Sequence, residues 1–240
     1  MKNKMFGYLN EERLNAQQEV IFLDQLPAQQ AQPKYKNRVI NMFGQFDEAR
    51  CNAIVEQLLQ WEEEDGTILY NHYQQLQQTA KVFAKGDNEK FKEYLTEAQP
   101  EDPSELLKPI IVNINSPGGR VDGLMAIVDM LYAMDAPVIT RVMGEACSCG
   151  FVLFCAGDER YVGRNASLMY HEMTYVMVDK LRDQESYLKF SKKLQKKLDK
   201  IIANNTGVTL KTLDEWKKGP DKWMDAEEAV KLGIATDFMY

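Results

Sequence analysis

The sequence predicts an α/β fold, and three observations carry that prediction. Short apolar runs, of which Ile110-Ile111-Val112-Asn113-Ile114 is the clearest, suit strands covered on both faces. Segments with apolar residues at helical spacing follow them, as Val121, Leu124, Ile127, Val128 and Leu131 do. The two kinds then alternate along the chain, the pattern of a layered strand and helix core. A chain of 240 residues that is 45% hydrophobic has material for one well-buried domain and an appendage.

In chain order, residues 1–37 are polar and glutamine-rich, broken by Val20-Ile21-Phe22-Leu23, Pro27 and Pro33, and read as a weakly ordered arm. A domain over 38–240 follows, opening with a strand at Val39–Phe46. Asp47 is a candidate N-cap, and Cys51, Ile54, Val55, Leu58 and Leu59 define one buried helix face. Residues 66–109 carry helical stretches at Ile68–Phe83 and Asn88–Ala98 around Lys85-Gly86-Asp87, with few apolar positions, and read as an inserted helical hairpin with a thin core. The Ile110 strand leads through Ser116-Pro117-Gly118-Gly119 into the Val121 helix. Pro137–Met143 is a strand and Ala146–Cys155 an almost wholly apolar, central helix. Short strands are expected near Arg160–Val162 and Leu168–His171, with an alternating run at Thr174–Val178. Leu181–Asn205 is a long helix with Tyr187, Phe190, Leu194, Leu198 and Ile201 on one side and lysines on the other. Helices at Leu210–Lys218 and Ala226–Leu232 and a terminal strand complete the chain.

Composition removes several function classes. A net charge of −7 argues against nucleic acid or an anionic membrane as partner, since phosphate contact needs a basic face. No apolar run reaches the roughly 18 residues of a membrane span, and Met1–Asn10 lacks the apolar core of a secretory signal. Four cysteines, two of them at Cys147 and Cys149, suggest reduced thiols in a cytoplasmic protein. With only His72 and His171, a multi-histidine metal centre is all but excluded, and no further ligands stand at zinc spacing from the cysteines. Neither metal nor cofactor is expected.

Two strand-to-helix junctions could carry chemistry. At Ser116–Gly119 the glycines permit positive φ and let backbone N–H groups face a ligand, as an oxyanion or phosphate site would need. No Gly-Lys-Ser/Thr follows, only Arg120, so this is not a nucleotide-binding loop; an ordinary turn is the plain alternative. At Gly144-Glu145-Ala146-Cys147-Ser148-Cys149-Gly150, Ser148 stands at a helix N-terminus, in a frame like Gly-x-Ser-x-Gly with Ala146 at its first glycine. Ser148 is a candidate nucleophile, with the Cys149 N–H facing a developing oxyanion; close packing of small residues is the alternative. Cys149 is a conceivable nucleophile in its own right, although buried structural cysteines are the better reading of the pair. If Ser148 needs a base, His171 is the candidate, since His72 sits among glutamines in the hairpin. Asp221, in a loop ahead of the Ala226 helix, could orient the imidazole.

Taken together, Asn113–Gly119, Met143–Gly150, Leu168–His171, Asn205-Thr206-Gly207, Asp221–Ala229 and Leu232-Gly233-Ile234 resemble the family of Clp protease proteolytic subunits (ClpP). The resemblance covers roughly Arg38–Glu64 and Pro109–Tyr240, and suggests a divergent bacterial or phage-encoded member. It implies a crotonase-type spiral of ββα units. It makes Ser148 the nucleophile, His171 the general base and Asp221 the orienting carboxylate, with Gly119 and Cys149 as the oxyanion hole. The implied activity is serine endopeptidase cleavage of unfolded polypeptides inside heptameric rings, which stack as tetradecamers through a handle from Tyr175 through the long helix. A partner AAA+ unfoldase would feed the rings.

This chain departs from the family's usual pattern in four ways. Glu172-Met173 follows the histidine in place of Gln-Pro. Lys222 replaces an arginine that helps couple rings and cannot form the same bidentate fork. The N-terminal arm is long, and 66–109 is inserted near the surface that docks the ATPase. Two other readings remain: a catalytically weak scaffold or decoy subunit, and a crotonase-type acyl-CoA enzyme sharing the fold.

Overall fold

The computed structural model describes residues 38–83 and 103–240. The expected N-terminal arm, the helical stretch at Asn88–Ala98 and its flanking turns lie outside the described residues. The chain divides into two compact units, and the one formed by Tyr35–Gln74 with Gln99–Tyr240 holds the sheet and the candidate site.

Apolar alternation builds a seven-stranded sheet among the described residues. Strands β1 (Val39–Phe43), β2 (Ile110–Ser116), β3 (Val138–Cys147), β4 (Glu159–Val162) and β7 (Asp237–Phe238) lie side by side and run parallel. β3 is long enough to change partner. Ile139–Val142 pair with β4, whereas Glu145–Cys147 pair with β5 (Ser167–Tyr170). β5 in turn pairs antiparallel with β6 (Lys222–Asp225), Ser167 opposite Asp225 and Tyr170 opposite Lys222. The α/β class expected from strand and helix alternation is the class observed.

The partner change follows from a bulge. Between Ile114 and Ser116 of β2, the opposing residues of β3 advance from Val142 to Ala146. Gly144 absorbs the extra length at φ +91°, where a Cβ would lie 2.7 Å from the Asn115 Oδ1. Asn115 Oδ1 also accepts the Glu145 N–H at 3.2 Å, tying the bulge to β2. Past it, β3 climbs away from β4 and delivers Ser148 to the end of the sheet.

Helices α1 (Glu48–Phe83), α2 (Val121–Ala133), α3 (Cys149–Cys155), α4 (Leu181–Asn205), α5 (Leu210–Trp216) and α6 (Ala226–Lys231) surround the sheet. Asp47 caps α1 as expected, accepting the Arg50 N–H at 2.9 Å. Cys51, Ile54, Leu58 and Trp61 bury one face of α1, and Asp65 extends it to meet the buried Arg38 at the head of β1, 2.5 Å away. Asp225 caps α6 by accepting the Glu228 N–H, an Asp-x-x-Glu start. α3 is buried along its whole length, as its apolar sequence requires.

Several boundaries differ from expectation, each for a local reason. β1 ends at Phe43 because Gly44 turns out of the strand at φ +85°, leaving Phe46 in a single bridge to Gly119. The first helix does not stop before Gly66; one 36-residue helix runs to Phe83, and nothing lies within 4 Å of where a Gly66 Cβ would be, so exposed helical glycine is tolerated there. The central helix begins at Cys149, since Ala146 and Cys147 still belong to β3. Thr174–Val178 forms no strand, and Val176 and Val178 are 96% and 94% exposed. On α4 the expected apolar side is buried at Leu198 and Ile201 and half-buried at Leu194, but not in its N-terminal half. Tyr187 and Phe190 are exposed, and polar Ser191, Gln195 and Asp199 are buried beside Leu198, Ile201 and Ile202.

Fully buried Leu58 and exposed Tyr70 both lie on α1 and give a direct check of this packing. Leu58→Ala should cost about 2–5 kcal/mol in urea denaturation, against under about 0.5 kcal/mol for Tyr70→Ala.

Candidate active site

The site is built where β3 enters α3. Ser148 occupies that junction at φ 54°, ψ −119°, and it is the sole non-glycine residue with positive φ among the described residues. Such a conformation costs on the order of 1–3 kcal/mol and persists only where neighbours hold it. The Ser148 N–H donates to the Met169 carbonyl at 3.0 Å, and its carbonyl accepts the Val152 N–H at 3.1 Å. The result is a sharp strand-to-helix turn that lifts the serine side chain off the end of the sheet.

The glycine turn after β2 packs directly against it. Gly118, at φ +105°, lies so close that a Cβ there would stand 2.6 Å from the Ser148 Cβ. A Cβ on Gly119, at φ +145°, would meet Phe46 backbone at 2.7 Å. The Phe46 N–H donates to the Gly118 carbonyl, and the Phe46 carbonyl accepts the Arg120 N–H, at 2.8 and 2.9 Å. This parallel bridge uses the groups flanking Gly119, so the Gly119 N–H is directed away from Phe46. The Cys149 N–H is one of the donors left without an intrahelical partner in the first turn of α3. The Cys149 thiol donates to the Gly119 carbonyl at 3.2 Å, linking the two residues.

A cavity of about 70 Å³ opens at this point, lined by Gly119, Ser148, Cys149 and His171 and floored by apolar Leu124, Val152 and Leu198. Four of the five residues singled out from sequence therefore meet at one cavity. The fifth, Asp221, is reached along the sheet. The β5 and β6 ladder ends with Tyr170 opposite Lys222, and His171 and Asp221 are the next residues on the two segments beyond it. Among the described residues, the imidazole forms no hydrogen bond to Ser148 or Asp221; such contacts are commonly long without substrate. His72 stays on α1, outside the cavity, and burial lowers its pKa.

Sequence reasoning missed the polar groups behind the cavity. Gln195 lines it, and Tyr170, Asp199 and Lys217 connect to Gln195 in one network. Lys222 turns to Glu228 and to the Trp216 ring.

A sequence model of the Clp protease family matches residues 64–239, about three quarters of the chain. The chain belongs to the Clp protease family. It is 32% identical over 142 residues to the ATP-dependent Clp protease proteolytic subunit of Streptococcus mutans, covering 58% of this chain and 72% of that relative. Membership makes the protein a peptidase with a ClpP-type fold. Among its described residues, no helix is long and apolar enough to cross a membrane.

Cys149 does not have the properties of a nucleophile here. Burial pushes its thiol up to about 11, only partly countered by its hydrogen bond to the Gly119 backbone. With the pKa raised, the protonated thiol dominates at pH 8, where thiolate is on the order of one part in a thousand. Cys147 is likewise pushed up to about 11 by burial and by Glu145. Native protein treated with iodoacetamide at pH 8 should therefore leave both unmodified by mass spectrometry, while urea exposes them to full alkylation.

Proposed function

We propose that this chain is a serine endopeptidase in which Ser148 is the nucleophile, His171 the general base and Asp221 the carboxylate that orients it. The carrying observation is Ser148 itself, held at positive φ in one cavity with His171 and with two backbone N–H groups at its rim. His171 takes the Ser148 proton as the oxygen attacks a peptide carbonyl. The Gly119 and Cys149 N–H groups receive the charge that develops on the carbonyl oxygen. His171 then protonates the leaving amine, and water, activated by the same imidazole, releases the acyl group. Asp221 favours the tautomer with Nε2 free to act and stabilises the imidazolium. The reaction requires no metal or cofactor.

The native assembly is a heptameric ring, singly or stacked as a tetradecamer, enclosing the cavities so that only unfolded polypeptide reaches them. The exposed apolar residues Tyr175, Val176, Val178, Leu181, Tyr187, Leu188 and Phe190, of which Tyr175, Tyr187 and Phe190 pack ring to ring, support stacking, because exposed apolar clusters commonly mark interaction surfaces. Charge supports it as well. Asp183 and Glu185 lie in the first turns of α4, and Lys189, Lys192, Lys193, Lys196, Lys197 and Lys200 follow them. An antiparallel pair of such helices sets acid against base across a two-fold axis. The S. mutans relative is the proteolytic subunit of an ATP-dependent protease, and by that likeness an AAA+ unfoldase feeds this chain too. The inserted segment 66–109 is proposed either to block the usual unfoldase or to bind a dedicated one. Four free thiols suit a reducing, cytoplasmic setting.

A fluorophosphonate probe tests the catalytic reading. Wild type should label at Ser148, Ser148→Ala should not label, and Asp221→Asn should lose on the order of 10³–10⁴ in kcat toward a fluorogenic peptide. An assembled ring that takes no label would be the scaffold or decoy subunit instead. Val176→Lys with Val178→Lys should halve the mass of a stacked assembly by analytical ultracentrifugation while leaving single rings intact.

A further inference from the structure

The candidate His171 and Asp221 stand on different segments, one following β5 and one preceding β6, and the ladder joins these strands on one side only. On the other side both segments converge on a buried carboxylate. Asp199 of α4 is 3% exposed and is met by three donors. Its Oδ1 accepts from the Tyr170 hydroxyl at 2.7 Å and from the Gln195 Nε2 at 2.8 Å. Its Oδ2 accepts from the Lys217 Nζ at 2.7 Å.

Each donor leads to the site. Tyr170 directly precedes His171, and its ring is fixed by Phe151 at 6.1 Å and Trp216 at 5.9 Å between centroids. Gln195 uses its other end, Oε1, to accept the Met173 N–H at 2.7 Å, so the chain is held on both sides of His171. Lys217 ends α5 and begins the turn that runs to Asp221. Only a carboxylate can accept from a hydroxyl, an amide and an ammonium at once.

We propose that Asp199 is a positioning residue that holds the His171 segment and the Asp221 turn in register; the proposal rests on the serine-peptidase reading above. Asp199 touches no reacting atom and acts through Tyr170, Gln195 and Lys217. The protonation states needed for the network are secured locally. Burial, then the bond to Asp199, pushes the Tyr170 hydroxyl far above its ordinary value, so it remains a donor. Burial pulls the Lys217 ammonium down, but its bonds to Asp199 and Asp214 outweigh this and leave it raised and charged. Glu172 and Asp214 also act on Tyr170, Lys196 and Lys218 act on Asp214, and Lys222 follows Asp221 in the chain.

The test uses the full chain in the background His72→Gln, so that a ¹³C-histidine label reports His171 alone. Asp221→Asn should lower the His171 pKa, because the imidazolium loses a nearby carboxylate. Asp199→Asn should lower it in the same direction, reduce kcat by about 10- to 100-fold and leave KM within about threefold. The pair Asp199→Asn with Lys217→Met removes the buried charge imbalance and should regain thermal stability without regaining kcat. Tyr170→Phe, which removes one donor and keeps the ring, should repeat the pKa shift on a smaller scale, and carries the test if Asp199→Asn does not fold. A folded Asp199→Asn or Tyr170→Phe protein with wild-type kcat and an unshifted His171 titration overturns the proposal. So does a paired variant that recovers stability and kcat together, the mark of a purely structural role. If wild type neither labels nor cleaves, the peptidase reading fails, and the titration still judges the network.

Discussion

The backbone conformation of Ser148 is the constraint from which the rest of the site follows. A residue with a Cβ held at φ 54° is unfavourable, so surrounding contacts must over-determine it. β3 and β5 anchor it from below, and α3, buried over its whole length, fixes the direction in which the chain leaves. The Cβ so placed leaves no room for a side chain at Gly118, and the Phe46 bridge leaves none at Gly119. Gly150, in the first turn of α3, stands over the buried Ser116, where a Cβ would lie 3.0 Å from the Ser116 carbonyl. Of these three glycines, Gly118 answers to Ser148 itself, Gly119 to Phe46 and Gly150 to Ser116. Together the glycines let the β2 turn and the start of α3 approach closely enough for Gly119 and Cys149 to line one cavity.

Much of this was legible in the sequence, because the evidence was local. Gly118-Gly119 after an apolar strand and small residues around Ser148 encode their geometry within a few positions. The Asp47 cap and the Val121 helix were legible for the same reason: capping and amphipathic spacing are short-range properties. His171 was reachable by scarcity, since two histidines left little choice. β6 gave too little signal, because four residues with one buried position present no periodicity to detect. The continuity of α1 past Gly66 escaped for a related reason, since a glycine on an exposed helical surface costs only about 1 kcal/mol and the flanking residues outweigh it.

The α4 face departs from expectation in its N-terminal half, for a more instructive reason. Hydrophobicity ranks Tyr187 and Phe190 as core and Gln195 and Asp199 as surface, and the structure has them the other way round. Periodicity reports which side of a helix differs from the other, not what each side meets. Here one stripe changes along its length: its C-terminal half is buried at Leu198 and Ile201 beside the polar network, and its N-terminal half leaves Tyr187 and Phe190 exposed. The two halves of α4 therefore differ in what they meet: Gln195 and Asp199 face their own domain, and the apolar flank is left exposed.

A buried carboxylate and ammonium are a poor choice if stability is the only requirement, since well-packed apolar residues of the same volume usually do as well or better. What the ion pair between Asp199 and Lys217 provides is direction. An apolar contact tolerates sliding by a fraction of an ångström, whereas three hydrogen bonds to one carboxylate fix distance and angle on three elements simultaneously. The elements so fixed are β5, α4 and the end of α5, which carry or adjoin His171, the apolar flank and Asp221. A displacement of α4 cannot then leave the imidazole segment where it was, because Tyr170 and Met173 move with Asp199 and Gln195. The helix that carries the exposed aromatic flank therefore also bears on the placement of the His171 segment, through contacts of under 3 Å rather than through any general stiffness of the fold.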